Sequence, residues 1–196
     1  MQALKEAILS KGQAINPGII KVDSFLNHRL DSKLLFELGK DFALHFAKAA
    51  PDLILTIESS GIALALATAH ALNDLPVVFA KKSNAFNQNP DMAEEKIYSF
   101  THQNHCVIRA DLRYIPKGSK VLIIDDFLAN GEAIKGLMGI LKKADASLVG
   151  IGIAIEKGFQ QGGKQLRAAG LPLLSLVVID EISDGNIRFR STDGEI

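Results

Sequence analysis

Apolar runs of four to seven residues alternate along this chain with stretches of helical period. Ala3, Leu4, Ala7 and Ile8 recur at helical spacing within Met1 to Gly12, which predicts a short amphipathic helix. Asn16, Pro17 and Gly18 break it, and Ile19 to His28 reads as an irregular or short extended segment. A second helix is predicted from a cap at Asp31 through Leu34, Leu35, Leu38, Phe42, Leu44 and Phe46 to Pro51. Leu53 to Ile57 reads as a buried strand, followed by a turn at Glu58 to Gly61, an apolar helix from Ile62 to about Leu72, and a strand from Pro76 to Ala80. Lys81 to Glu95 is polar and has no period, which marks a long loop. Ile97 to Ile115 reads as a β-hairpin, and Val121 to Ile124 and Leu148 to Ile155 as buried strands. After a turn at Gly158 to Gly163 come a short helix, Lys164 to Ala169, a last core strand, Leu173 to Ile179, and a polar tail.

Strands alternating with helices imply right-handed βαβ units and a mostly parallel sheet, so the expected class is α/β, with loops at the strand C-terminal ends lining one crevice. The 196 residues suit a single domain. With 47% hydrophobic and 22% charged residues the chain can build a core, and 22 basic against 22 acidic residues leave no broad positive surface for nucleic acid. That balance points to a small-molecule ligand. The lone Cys106 has no disulfide partner and no metal-ligand spacing, and the five histidines show no ligand spacing with Asp, Glu or Cys on a common element, so no protein-only metal site is expected. Met1 to Gly12 carries Lys5 and Glu6 within its amphipathic pattern and lacks the apolar core of a signal peptide, no apolar run is long enough to span a membrane, and a cytoplasmic setting is expected.

The densest chemistry lies at Val121 to Ala133. Four β-branched or leucine residues, Val121 to Ile124, lead to Asp125 and Asp126, where the chain is expected to surface. The loop Phe127 to Gly131 then opens a helix whose apolar positions are Ala133, Ile134, Leu137, Ile140, Leu141 and Ala144. Unpaired N–H groups at such a helix start bind anions. Two further loops carry suitable groups. Glu58, Ser59, Ser60 and Gly61 offer hydroxyls and backbone N–H groups beside a glycine, and Glu156, Lys157, Gly158 and Phe159 place a cation and a ring at the mouth of the sheet.

Strand, two acids, short loop and helix, as in Ile123 to Gly131, resemble the signature of the type I phosphoribosyltransferases, which bind 5-phosphoribosyl 1-diphosphate (PRPP). Asn130 stands where the family more often has Thr. The segments Ile20 to His28, Thr56 to Ile62 and Ile155 to Lys157 extend the resemblance over nearly the whole chain, toward the purine-salvage members. The resemblance implies a central, mostly parallel sheet flanked by helices, with residues 1–30 contributing a small N-terminal hood over the base. It implies that Asp125 and Asp126 hold the ribose hydroxyls, that Ala129, Asn130, Gly131, Glu132 and Ala133 wrap the 5-phosphate, and that Glu58, Ser59, Ser60 and Gly61 meet the diphosphate. Lys81 falls where the family keeps a mobile catalytic loop, and Ile20, Asn27, Lys157 and Phe159 fall around the base. Xanthine is the implied acceptor, PRPP the donor, Mg²⁺ a substrate-associated cation and a homodimer the implied assembly, with no nucleic-acid or membrane partner. Hypoxanthine or guanine is the alternative acceptor, since a lysine serves any 6-oxopurine. A PRPP-sensing regulator is the alternative of another class, and it would need a basic face that a net charge of zero does not offer.

Overall fold

The computed structural model describes residues 1–15, 18–82, 91–99, 104–183 and 185–191. Helix α1 (Gln2–Lys11) leads into a two-stranded antiparallel hairpin, β1 (Gln13–Ile15) and β2 (Ile19–Lys21), and a π-helical turn at Asp23–Asn27. These pieces form the hood. Its apolar residues Ile20, Val22, Phe25 and Leu26 are buried against one face of the main sheet, which is why the segment folds although it has neither a helical nor a strand period. The segment Ile19 to His28 is therefore more regular than its sequence suggests.

Helix α2 (Ser32–Phe46) begins where Asp31 accepts the Leu34 N–H at 3.3 Å, and it ends at Phe46 in a 3-10 turn before Pro51. It packs beside α3 (Ser60–Ala71), which follows β3 (Leu53–Ile57); at Gly39 an added Cβ would lie 2.5 Å from the Ala67 carbonyl carbon. The remaining elements are β4 (Val77–Lys82), β5 (Met92–Ser99), β6 (Asn104–Asp111), β7 (Lys120–Leu128), α4 (Glu132–Lys143), β8 (Ser147–Lys157), α5 (Gly162–Ala168), β9 (Leu173–Ser183) and β10 (Asn186–Phe189). The eight-stranded sheet runs β10-β9-β8-β7-β3-β4-β6-β5. Its five central strands are parallel and both edges are closed by antiparallel hairpin partners. Alternation along the strands divides the core. Ile54, Leu122 and Ile124 face α1, α2, α3 and the hood, while Leu53, Leu55, Val121 and Ile123 face α4, α5 and the β5–β6 hairpin.

Three expectations from the sequence are corrected. The chain does not surface at Asp125: β7 continues to Leu128, because Phe127 and Leu128 pair with Ile155 and Glu156 of β8 and find apolar cover. Lys81 to Glu95 is not all loop. Lys81 and Lys82 complete β4 opposite Arg109 and Ile108, and Met92 to Glu95 belong to β5, whose polar composition reflects one exposed face around buried Ala93 and Ile97; residues 83–90 of that expected loop lie outside the described residues. Finally, the polar tail contains β10, held to β9 by an antiparallel ladder. No helix among the described residues is long and apolar enough to cross a membrane.

Candidate active site

The C-terminal ends of β3, β4, β7 and β8 converge on one edge of the sheet, and each delivers polar groups there. Asp125 and Asp126 are 4% and 6% exposed, so the carboxylates are shielded from bulk water. Asp125 Oδ1 accepts the Asp126 N–H at 2.9 Å. The start of α3 lies against it: a Cβ at Gly61 would stand 2.9 Å from Asp125 Oδ1 and 2.1 Å from Thr56 Oγ1, so only glycine lets the loop after β3 approach the acids this closely. Thr56 Oγ1 is itself buried without a partner among the described residues. In that same loop the Glu58–Ser59 peptide is cis. Glu58 Oε1 accepts the Lys82 N–H at 2.5 Å and Glu58 N–H donates to Ala80 O, which ties the loop to β4; Ser59 is exposed and Ser60 half-buried, while Gly61 is buried against the acids. Neither serine hydroxyl has a protein partner among the described residues.

Burial pushes the Asp125 carboxyl well above the usual carboxylate range, and the adjacent Asp126 adds to the shift, while the charge of Lys82 opposes it. A carboxyl with a raised folded-state pKa contributes most to stability when protonated, and that contribution is lost as pH rises from the ordinary value through the folded one. The Asp125→Asn variant is therefore expected to melt higher than the wild type at neutral pH. The advantage should shrink to nothing as the pH is lowered below the ordinary carboxylate range, about 4. Melting curves across pH check this, and an equal or lower melting temperature at neutral pH would mean that Asp125 is compensated in the fold.

After Leu128 the chain turns through Ala129 and Asn130 to Gly131, whose φ of +85° is left-handed backbone that favours glycine. Gly131 caps α4, and the N–H groups of the first turn, from Glu132 and Ala133 onward, have no intrahelical acceptors. Twelve residues of aligned peptide dipoles stand behind this cradle, equivalent to roughly half a positive charge at its mouth. Glu132 turns its carboxylate to Lys135 at 2.9 Å and so does not oppose an anion with an unpaired charge.

On β4, Lys81 stands 5.8 Å from the Phe79 ring centroid, on the opposite face of the strand from Lys82. Lys82 shares the face of buried Ala80 and is the cation whose field reaches Asp125, a role the sequence reading did not give it. The signal was strand alternation continued past Ala80. Lys157 ends β8 with its Nζ 5.9 Å from the centroid of Phe127, the residue after the two acids, within cation–π range. Burial lowers the Lys157 pKa, and no carboxylate pairs with it among the described residues. The hood closes over this end: at Gly18, φ +70°, a Cβ would lie 3.3 Å from the edge of the Phe159 ring. Ile20 is buried beneath, and Asn27, half-buried at the end of the π-helical turn, has a side chain without a partner among the described residues. Thus Lys157, Phe159 and the hood are brought together, as are Gly61, Asp125 and the loop to Gly131.

This arrangement, two shielded acids between a glycine-hinged loop and a helix-capped anion cradle, belongs to a recognised class. Residues 30–167 match the phosphoribosyl transferase domain, and the chain belongs to the phosphoribosyl transferase family. Its relatives narrow the resemblance. It is 46% identical over 190 residues to xanthine phosphoribosyltransferase of Clostridioides difficile (strain 630), covering 97% of this chain and 100% of that protein. It is likewise 46% identical over 196 residues to xanthine phosphoribosyltransferase of Alkaliphilus metalliredigens, covering 100% and 96%. Among solved structures, adenine phosphoribosyl transferase from Trypanosoma brucei in complex with AMP, pyrophosphate and ribose-5-phosphate superposes with a TM-score of 0.75 at 18% identity, over 98% of this chain and 87% of that one, which establishes the type I fold. Ile20 and Asn27 lie outside the family match at 30–167 but inside the full-length alignments to the xanthine enzymes.

Proposed function

We propose that this protein transfers the 5-phosphoribosyl group of PRPP to xanthine, forming xanthosine 5-phosphate and diphosphate. The observation that carries the reaction class is the approach of Gly61 to Asp125, which brings a loop fit for diphosphate against carboxylates fit for ribose hydroxyls. The base is carried by the 46% identity to xanthine enzymes across almost the entire chain, hood included. In the reaction the bond from ribose C1 to the diphosphate oxygen breaks and a bond from C1 to a purine nitrogen forms. The nitrogen gives up its proton to solvent and the diphosphate leaves with the electron pair. No nucleophile from the protein is required. Ala129 to Ala133 fix the 5-phosphate, Asp125 and Asp126 accept from the ribose hydroxyls, and Ser59, Ser60 and Gly61 hold the diphosphate in a loop that Glu58 anchors. Lys82, whose field reaches Asp125, supplies positive charge as the diphosphate departs, and Lys81 adds charge from the other face at the end of β4. Lys157 donates to the 6-oxo group, Phe159 stacks on the base, and Asn27 and Ile20 complete the pocket.

Among the described residues no group of three or more His, Cys, Asp or Glu comes together as a metal cage. The donors present near the ribose site are the two carboxylates, hard oxygen ligands that fit a Mg²⁺ held chiefly by substrate oxygens and water. The same reading makes the chain one catalytic domain acting in the cytoplasm as a homodimer; exposed Leu44 and Leu66 on the adjacent α2 and α3 supply apolar surface for association. The test is turnover of xanthine, hypoxanthine, guanine and adenine with PRPP and Mg²⁺. Xanthine should give the highest kcat/KM and adenine no product. A preference for guanine or hypoxanthine would move the base assignment, and consumption of PRPP without nucleotide formation would overturn the reaction.

A further inference from the structure

Glu156 precedes Lys157 on β8 and is 2% exposed. A carboxylate so buried needs partners. Arg167 on α5 donates to both of its oxygens, at 2.8 and 2.7 Å, and the Ser175 hydroxyl on β9 donates to Oε2. The two-pronged contact is the strong, directional form of an arginine–carboxylate pair. Burial pushes the Glu156 carboxyl up, the hydrogen bonds from Arg167 and Ser175 together with the charges of Arg167 and Arg190 more than offset it, and the group titrates below its ordinary value.

The other end of α5 meets a different loop. Gly162 N–H donates to Ala129 O at 3.0 Å, and both Gly162 and Gly163 are buried. A Cβ at Gly162 would lie 2.4 Å from Ala129 O and 2.8 Å from the Gly131 nitrogen, and one at Gly163 would lie 1.9 Å from Glu156 Oε1. The two glycines therefore press α5 onto the turn that opens α4 on one side and onto the end of β8 on the other. With only seven residues α5 has little helical stability of its own, so its place is set by these contacts.

We propose that the Glu156–Arg167–Ser175 cluster is a positioning device that, through α5, holds the Ala129–Gly131 loop at a set distance from Lys157. In that role it registers the sugar-phosphate site against the base site. Glu156 and Arg167 touch no substrate and act through Gly162 and through the adjacent Lys157. The proposal rests on the reading of those two places as the 5-phosphate and base sites.

The test uses the full chain and three variants. The double variant Glu156→Gln with Arg167→Met removes the pair without leaving a lone buried charge, Arg167→Lys keeps the charge, and Gly162→Ala drives a methyl group into the Ala129–Gly131 backbone. In the double variant, amides of residues 129–133 and 157–161 should exchange about tenfold faster than in the wild type while those of β3 are unchanged. KM for both PRPP and xanthine should rise by about tenfold to a hundredfold, with a smaller change in kcat. Arg167→Lys should recover part of the loss, and Gly162→Ala should raise the KM for PRPP more than that for xanthine. Unchanged exchange at 129–133, or an unchanged KM for PRPP in the folded double variant, overturns the proposal. Should the double variant fail to fold, an unchanged KM for PRPP in both single variants overturns it equally. A wild-type protein that turns over no purine would defeat the site assignment instead, and exchange at 129–133 would still decide whether the cluster holds the loop.

Discussion

The Asp125→Asn, Asp126→Asn double variant is expected to fold normally and to lose about a hundredfold to ten-thousandfold in kcat/KM for PRPP. Each hydrogen bond to a charged acceptor is worth about 1.5 to 3 kcal/mol, and two such bonds convert to that range at roughly 1.4 kcal/mol per tenfold. Asparagine has nearly the same shape and keeps one oxygen, so the Asp126 N–H retains its acceptor and the strand its packing. Loss of activity should therefore come without loss of melting temperature. Steady-state kinetics beside thermal melts provide the check. Wild-type turnover in the double variant would place the ribose elsewhere on the sheet edge.

The second large effect concerns base choice. Lys157→Ala removes the charged donor at the mouth of β8 and is expected to lower kcat/KM for xanthine and hypoxanthine alike by about tenfold to a hundredfold, since both carry the 6-oxo group. Asn27→Ala is expected to act differently. Xanthine differs from hypoxanthine at its 2-oxo, N–H edge, and a pocket that pairs with this edge leaves its own polar groups unsatisfied when the smaller base binds, a cost of about 1 to 3 kcal/mol. The half-buried Asn27 amide, unpartnered among the described residues, has the donor and acceptor that this edge requires. Its removal should erode the preference for xanthine while leaving hypoxanthine nearly unchanged. Specificity constants for each base with each variant decide the matter, and an equal fall for both bases with Asn27→Ala would move the selectivity to another residue.

Much of this was legible in the residues, for identifiable reasons. Val121 to Ile124 and Leu148 to Ile155 announce central parallel strands because both faces are covered, and the apolar period from Ala133 to Ala144 announces the helix that begins after Gly131. Other parts were hidden by the same physics. Asp125 and Asp126 look like surface residues in sequence, yet the ladder to β8 carries them inside the strand, where both are shielded from water. The polar run Met92 to Glu95 masks an edge strand that buries only one face and offsets its charge through Glu94 to Arg109 and Glu95 to Lys143. Lys81 and Lys82 are indistinguishable in a sequence whose strand reads as ending at Ala80, since only a strand continued past Ala80 puts them on opposite faces. The Glu156 cluster could not be seen at all, since Arg167 and Ser175 meet the carboxylate only once α5 and β9 have packed.

The close approach of Gly18 to the Phe159 ring brings the hood onto the loop after β8, far away in the sequence. Such an approach receives no help from chain neighbours and must overcome the entropy of closing a long loop, so it belongs to the late, slowly gained part of the folding reaction. The elements from β3 to α4, which carry the acids and the anion cradle, are by contrast contiguous in sequence. During synthesis the acids and the start of α4 are thus made well before the loop at Phe159 can meet the hood, and the cradle gains its support from α5 only then. Base recognition is in this sense a property of the finished chain.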